Sequence, residues 1–141
     1  MSTKKRILFI ANEMSPYLEL TDFAEIVNKL AVKSNDSGME VDYFKRKSIF
    51  HDEKEKWFDD NGLRAVLFCK GALETVKKFG WPPDIIHCSG WMTGLIPMFI
   101  RNAYKKEPVF SNSKIVYTIG QTTFKEKLEK DFLNMATIND Y

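Results

Sequence analysis

Short apolar runs alternate with longer amphipathic segments along this chain. Residues 7–11 form a continuous apolar run, while residues 84–88 and 114–119 are mostly apolar with single polar or charged side chains between. Residues 39–44 alternate imperfectly between apolar and polar side chains. Unbroken apolar runs of this length are typical of strands that are buried on both faces, as in a parallel sheet. The pattern therefore predicts four strands, one in each of these segments.

Two amphipathic segments between these strands have the apolar period of a helix. The first follows a capping residue, Thr21 or Asp22, and its apolar stripe consists of Phe23, Ile26, Val27, Leu30 and Ala31. The second covers residues 63–79 and ends at Gly80, Pro82 and Pro83. Its inward positions are predicted to be Val66 or Ala65, Cys69, Leu73, Val76 and Phe79.

Two further helices are expected in the last third of the chain. The third helix follows Gly90, and its apolar side carries Met92, Leu95, Ile96, Phe99, Ile100 and Ala103. Pro97 lies inside this segment, so it should kink the helix or leave its first turns irregular. Thr123 is a suitable cap for the last helix, which bears Phe124, Leu128 and Phe132.

Alternating strands and helices with short connections predict an α/β fold, an open and mostly parallel sheet with helices on both faces. The length of 141 residues fits a single domain, residues 1–141. Ligands of such sheets bind at the carboxyl ends of the strands. The candidate ligand sites are therefore the turns at residues 12–22, 89–93 and 120–123.

Charge and cysteine content narrow the class of partner. Lys and Arg number 21 against 19 Asp and Glu, and this near balance argues against a nucleic-acid partner. Cys69 and Cys88 are too few for a disulfide framework and lack the spacing of metal ligands. No segment has the length and apolar character of a signal peptide or a membrane span. We therefore expect a cytoplasmic protein with no membrane partner, no metal and no cofactor.

The first turn is unsuited to phosphate binding. It contains Glu13, Tyr17, Glu19, Thr21 and Asp22 and has no glycine, whereas a phosphate-binding loop needs backbone N–H groups that the anion can approach. Its carboxylates would also repel a phosphate at the helix N-terminus. A capped helix entry accounts for the same residues.

The second turn offers groups that suit a sugar. Gly90 permits a tight turn, Trp91 presents a flat ring, and Ser89 and Thr93 contribute hydroxyls. Trp91 is equally well explained as a core residue.

The neighbouring residues His87 and Cys88 are not expected to form a nucleophile–base pair. Successive side chains of a strand point to opposite faces, so these two should lie on different sides of the sheet. A buried, hydrogen-bonded histidine is favoured over a general base. The third turn, with Gly120 and Gln121, could accept an anion or a sugar hydroxyl, although helix capping explains its threonines as well.

Several segments resemble the N-terminal domain of bacterial glycogen and starch synthases. Residues 5–17 are similar to the opening of that domain, residues 59–74 and 80–93 to a later part, and residues 116–119 to its next strand. The strand–turn–helix around Trp91 is the most specific of these. The resemblance implies two Rossmann-like domains and an activity that transfers glucose from ADP-glucose or UDP-glucose to an α-1,4-glucan. It also implies that an α-glucan or a nucleotide sugar binds in the cleft between them.

The residues at the family's functional positions differ here. Residues 19–22, Glu-Leu-Thr-Asp, stand where the family has a Lys-Thr-Gly-Gly loop at the donor phosphates. Ser89, Gly90 and Met92 surround Trp91 where the family commonly has His-Asp-Trp-His, and Gly120-Gln121 replaces a His-Asn pair. The carried-over cleft residues are Glu13, Tyr17, Glu19, Thr21, Asp22, Ser89, Trp91, Thr93, Gly120 and Gln121.

Two larger departures concern the extent of the domain. The family has a long stretch between the positions that match Val41 and Asp42, which are adjacent here, and the resemblance does not reach the nucleotide-binding second domain. We therefore expect a glycogen synthase-like chain that is not catalytic alone. The alternative is a non-catalytic module that binds a glucan or a partner, such as a separately encoded second domain or another copy of itself.

Overall fold

The computed structural model describes residues 5–11, 56–120, 127–128 and 130–136. The predicted strand at residues 39–44 and the predicted helix after Asp22 lie outside these ranges, as do Thr123 and Phe124.

The described strands form one parallel sheet in the order β1 (Ile7–Ala11), β2 (Ile85–Ser89) and β3 (Lys114–Thr118). Their bounds agree with the sequence prediction to within one residue. The register aligns the amino ends at Ile7, Ile85 and Lys114 and the carboxyl ends at Ala11, Ser89 and Thr118. The carboxyl ends of all the described strands therefore meet at one edge.

Helix α1 (Asn61–Phe79) begins two residues before the predicted start and ends at the predicted residue. Gly80 has φ 59°, a left-handed conformation that glycine adopts without steric cost. The N–H of Gly80 donates to the Lys77 carbonyl, and the N–H of Trp81 donates to the Val76 carbonyl, which is the Schellman arrangement. The expectation that Phe79 faces inward is wrong: it is 79% exposed, because it is the last residue of α1 and the chain leaves the helix at Gly80.

The segment after β2 follows the second alternative for Pro97, with irregular first turns. A 3₁₀ turn (Trp91–Thr93) precedes helix α2 (Ile96–Arg101), and Pro97 occupies its first turn, where a missing N–H costs no hydrogen bond. Met92, Ile96, Phe99 and Ile100 are buried as predicted. Ala103 is exposed instead, because α2 ends at Arg101 and the following residues form turns.

The described helices α1 and α2 pack against the same face of the sheet. That face presents Ile10, Ile86 and Cys88, which join one core cluster with Cys69 and Leu73 of α1 and with Ile96, Phe99 and Ile100 of α2. The described elements confirm the predicted open parallel α/β sheet, whereas the placement of helices on both of its faces stays a prediction.

The described end of the chain contributes one short helical turn, α3 (Phe132–Met135). Phe132 begins this turn, whereas Leu128 lies outside any helix, which corrects part of the predicted last helix. Ala136 is fully buried in the core cluster. None of the helices in the described part of the chain is long and apolar enough to span a bilayer.

Candidate functional site

The carboxyl edge of the sheet brings two of the predicted turns together. Ala11, Ser89 and Thr118 end their strands in one register row, with Ser89 3% exposed. The N–H of Gly90 donates to the Thr118 carbonyl at 3.4 Å, so the second turn starts against the end of β3. Gly120, half-buried, follows two residues later. The structure thus places Ser89, Trp91, Thr93 and Gly120 around this edge.

The turn after β2 is organised around the carbonyl of Gly90. This oxygen accepts hydrogen bonds from the Tyr117 Oη at 2.7 Å, the Thr93 Oγ1 at 2.8 Å and the Thr93 N–H at 3.2 Å. Gly90 has φ 82° and ψ 160°, a conformation that residues with a Cβ rarely adopt. The Thr93 side chain is fully buried, so its hydroxyl proton supports the turn rather than a ligand.

A hydrogen bond from α1 and a close backbone approach at Gly94 also shape this turn. The Cys69 Sγ of α1 donates to the Met92 carbonyl at 2.9 Å. A Cβ added at Gly94 would lie 3.0 Å from the Trp91 carbonyl, so the backbone approaches closely at that point. Both thiols, Cys69 and Cys88, are buried, and burial raises the pKa of each to about 12. Neither is a thiolate near pH 7: Cys88 packs in the core, and Cys69 packs there and donates to the Met92 carbonyl.

Trp91 combines the two interpretations that the sequence left open. It is half-buried and packs against the small cluster of Ala65 and Met92, as a core residue would. Its ring also stacks on Trp57, with centroids 5.6 Å apart and an interplanar angle of 30°. The indole pair lies beside the carboxyl edge. Trp57 was not predicted from the sequence, although the adjacent aromatic residues Trp57 and Phe58 shortly before the predicted helix were a usable signal.

His87 lies two residues before Ser89 in β2; it is hydrogen-bonded as predicted, although it is half-buried rather than buried. Its Nε2 is 2.7 Å from the Thr118 Oγ1, and its ring is 5.2 Å from that of Phe9. Burial lowers the pKa of His87 below its ordinary value, which favours the neutral ring at pH 7. Cys88 is buried in the core cluster on the opposite face, as strand alternation predicted.

The other predicted cleft residues, Glu13, Tyr17, Glu19, Thr21, Asp22 and Gln121, lie outside the described ranges. Within those ranges, no group of three or more His, Cys, Asp or Glu side chains is close enough to hold a metal ion. The Ser89 and Thr93 hydroxyls are buried, so the described part of the edge offers backbone groups and the Trp57–Trp91 pair of indole rings. These are groups that contact a sugar by hydrogen bonds and ring packing rather than by charge.

Comparison with known proteins identifies relatives with the same segment. A glycogen synthase of Desulforudis audaxviator is 40% identical over 78 residues, which make up 55% of this chain and 16% of that protein. A glycogen synthase of Clostridium perfringens is 36% identical over 99 residues, 70% of this chain and 19% of the relative. A third, from Vibrio vulnificus, is 35% identical over 83 residues, 59% and 17% of the two proteins.

The matched segments thus span between 16% and 19% of the length of these curated relatives. The model of the starch synthase catalytic domain matches residues 40–141. This range includes α1, β2, the turn around Trp91 and β3, and it takes in more than two thirds of the chain. The chain therefore belongs to the starch synthase catalytic domain family.

Proposed function

We propose that the carboxyl edge of this sheet forms one wall of a glucan-synthase cleft, where an α-glucan or a nucleotide sugar binds. The observation that carries the proposal is the position of Trp91, held beside the strand ends by the turn at Gly90. In parallel α/β sheets, this edge is where ligands bind. Membership of the starch synthase catalytic domain family supports the choice of a glucan or a glucosyl donor.

We further propose that this chain alone does not transfer glucose. At the donor phosphates, Glu19 and Asp22 stand where the resemblance implies a lysine and a glycine, so the local charge becomes negative. Like charges in a site shielded from water repel more strongly than they do in bulk water. Ser89 stands where the resemblance implies a histidine and has no charge near pH 7, and burial lowers the pKa of His87, which favours its neutral form. Developing negative charge on the leaving diphosphate would therefore lack stabilisation.

The direct test is incubation of the purified chain with labelled ADP-glucose and glycogen. We expect no incorporation above a boiled control, while the glycogen synthase of Clostridium perfringens incorporates label under the same conditions. Turnover above the boiled control would refute the inactive assignment. Replacing Glu19 and Asp22 with Lys and Gly then tests whether the donor loop alone limits activity. Partial activity in that variant would identify this loop as the limiting defect.

A non-catalytic glucan-binding module is the second candidate, and the Trp57–Trp91 pair favours it. Aromatic rings pack against the C–H faces of sugars without requiring charged groups. Affinity electrophoresis through glycogen should retard the chain, and Trp91→Ala should remove the retardation. Trp81→Ala is the matched control, because Trp81 precedes β2 at the opposite end of the sheet, beside Arg6. Equal loss in both variants, or no retardation of the parent, would count against this module.

The partner of the wall is proposed to be a nucleotide-binding domain, in a separate chain or contributed by self-association. Val116 is 46% exposed and Ile119 is 84% exposed on and just after β3, which leaves apolar surface near the carboxyl edge. Co-purification from the native source should recover such a domain, and Ile119→Asp should release it.

The two cysteines are free, which supports a reducing cytoplasmic setting for this function.

A further inference from the structure

A separate cavity lies at the amino end of β3, away from the carboxyl edge. Its volume is about 300 Å³, within the range of small-molecule sites, and it is bordered by the end of α2, the turn after α2 and the start of β3. Because a strand rises roughly 3.3 Å per residue, the length of β3 separates this cavity from the carboxyl edge by more than about 10 Å. A ligand here would not share the proposed cleft.

Two cations border the cavity without a counter-charge. Arg101 and Lys105 line it, and within the described residues neither makes an ion pair and no acidic side chain joins the lining. The nearest acid in sequence, Glu107, is 2.7 Å from the Lys77 Nζ through its Oε1. Two like charges beside one cavity repel each other, and a bound anion relieves that repulsion. The cavity therefore favours an anionic ligand.

Two serines define the uncharged part of the ligand. The Ser111 Oγ donates to the Pro108 carbonyl at 2.8 Å, and the Ser113 Oγ donates to the Pro83 carbonyl at 2.7 Å. Each hydroxyl has one proton, so both serine oxygens can only accept a bond from a ligand. A ligand that uses them must itself donate hydrogen bonds, as the hydroxyls of a polyol do.

Apolar side chains form the remaining wall, among them Phe110 and Ile115. The C–H faces of a sugar or polyol suit such a wall. From the cations, the accepting serines and the apolar wall together, we propose that this cavity binds a small phosphorylated polyol, such as a pentose phosphate. The phosphate lies between Arg101 and Lys105, and ligand hydroxyls donate to Ser111 and Ser113.

Calorimetric titration of the full chain with ribose 5-phosphate tests the site, with ribose and inorganic phosphate as comparison ligands. Arg101→Gln and Lys105→Gln should each raise the dissociation constant for ribose 5-phosphate about tenfold, because each removes one charge-assisted bond. Lys106→Gln is the matched control, since Lys106 is exposed and adjacent to Lys105 but is not among the described lining residues. It should leave the constant within about twofold, since distant surface charges are screened.

Each alternative outcome overturns the proposal. Equal weakening by Lys106→Gln would show diffuse attraction to a basic surface. If inorganic phosphate or ribose bound as tightly as ribose 5-phosphate, the assignment of a ligand with both a phosphate and a polyol part would be wrong. Absence of saturable ribose 5-phosphate binding in the parent would remove the site. Arg101 and Lys105 are exposed, so their variants should keep the parent's circular dichroism spectrum, which confirms that any loss of binding comes from the removed charge.

Discussion

Removing the Tyr117 hydroxyl should loosen the turn that carries Trp91. In Tyr117→Phe, the Gly90 carbonyl loses its 2.7 Å bond from Oη but keeps the two bonds from Thr93. No buried acceptor is left without a donor, so the loss is that of one net hydrogen bond, about 1 kcal/mol. For a domain of this size, that corresponds to a fall of roughly 4 °C in the melting temperature. The Thr93 and Gly94 amides, which close the turn, should exchange with solvent about fivefold faster.

The matched control for this change is Tyr104→Phe. The Tyr104 hydroxyl donates to the Glu74 Oε1 at 2.7 Å, far from the turn, so the same chemical deletion should cost comparable stability. Amide exchange followed by NMR, beside thermal unfolding, separates the two effects. Unchanged exchange at Thr93 and Gly94 in Tyr117→Phe, or equal acceleration there in Tyr104→Phe, would refute the assigned role of the Gly90 carbonyl.

Three further sets of variants test the core packing, the backbone of α1 and the half-buried His87. Leu73→Ala, at a fully buried core position, should lower the free energy of unfolding by about 2–5 kcal/mol in urea titrations, whereas Leu67→Ala, at a 56% exposed position, should stay within about 0.5 kcal/mol. Gly71→Ala should raise the free energy of unfolding by about 0.5–1 kcal/mol, because no atom lies within 4 Å of the added Cβ, while Gly80→Ala should lower it by about 1 kcal/mol at φ +59°. The pKa of His87 is lowered in the fold, so the unfolded chain binds more protons below pH 6.5 and stability should fall as the pH falls. This dependence should weaken in His87→Gln, and an unchanged slope between pH 7 and 5 would contradict the assigned burial.

Local sequence signals were sufficient for most of the described fold. The end of α1 could be predicted because Gly80, Pro82 and Pro83 each oppose continuation of a helix, for different steric reasons. The strands could be predicted because short apolar runs between charged residues fit a sheet with two covered faces. Phe79 shows the limit: helical period assigns a face only while the helix continues, and this residue is its last.

The contacts that shape the site depend on distant residues and could not be predicted in the same way. Tyr117 reaches the Gly90 carbonyl across 27 positions of sequence, and Cys69 reaches the Met92 carbonyl across 23. Alternation within β3 places Tyr117 on the face shared with the helices, but it does not say which carbonyl its hydroxyl meets. The parity of His87 and Cys88 was predictable, because it follows from strand geometry alone.

The way the Trp91 turn is held supports the proposed binding role of this edge. Three donors converge on the Gly90 carbonyl. The Cys69 thiol donates to the Met92 carbonyl, and Gly94 permits a close approach to the Trp91 carbonyl. A turn restrained in this way loses little further freedom when a ligand binds, so ring packing and hydrogen bonds are retained as affinity. Glucosyl transfer requires, in addition, groups that stabilise charge on the leaving diphosphate. The restraints act on the backbone and on Trp91, while Ser89 is uncharged and burial lowers the pKa of His87, which favours its neutral form. The described part of the edge therefore has a restrained turn of the kind that the proposed sugar binding would use.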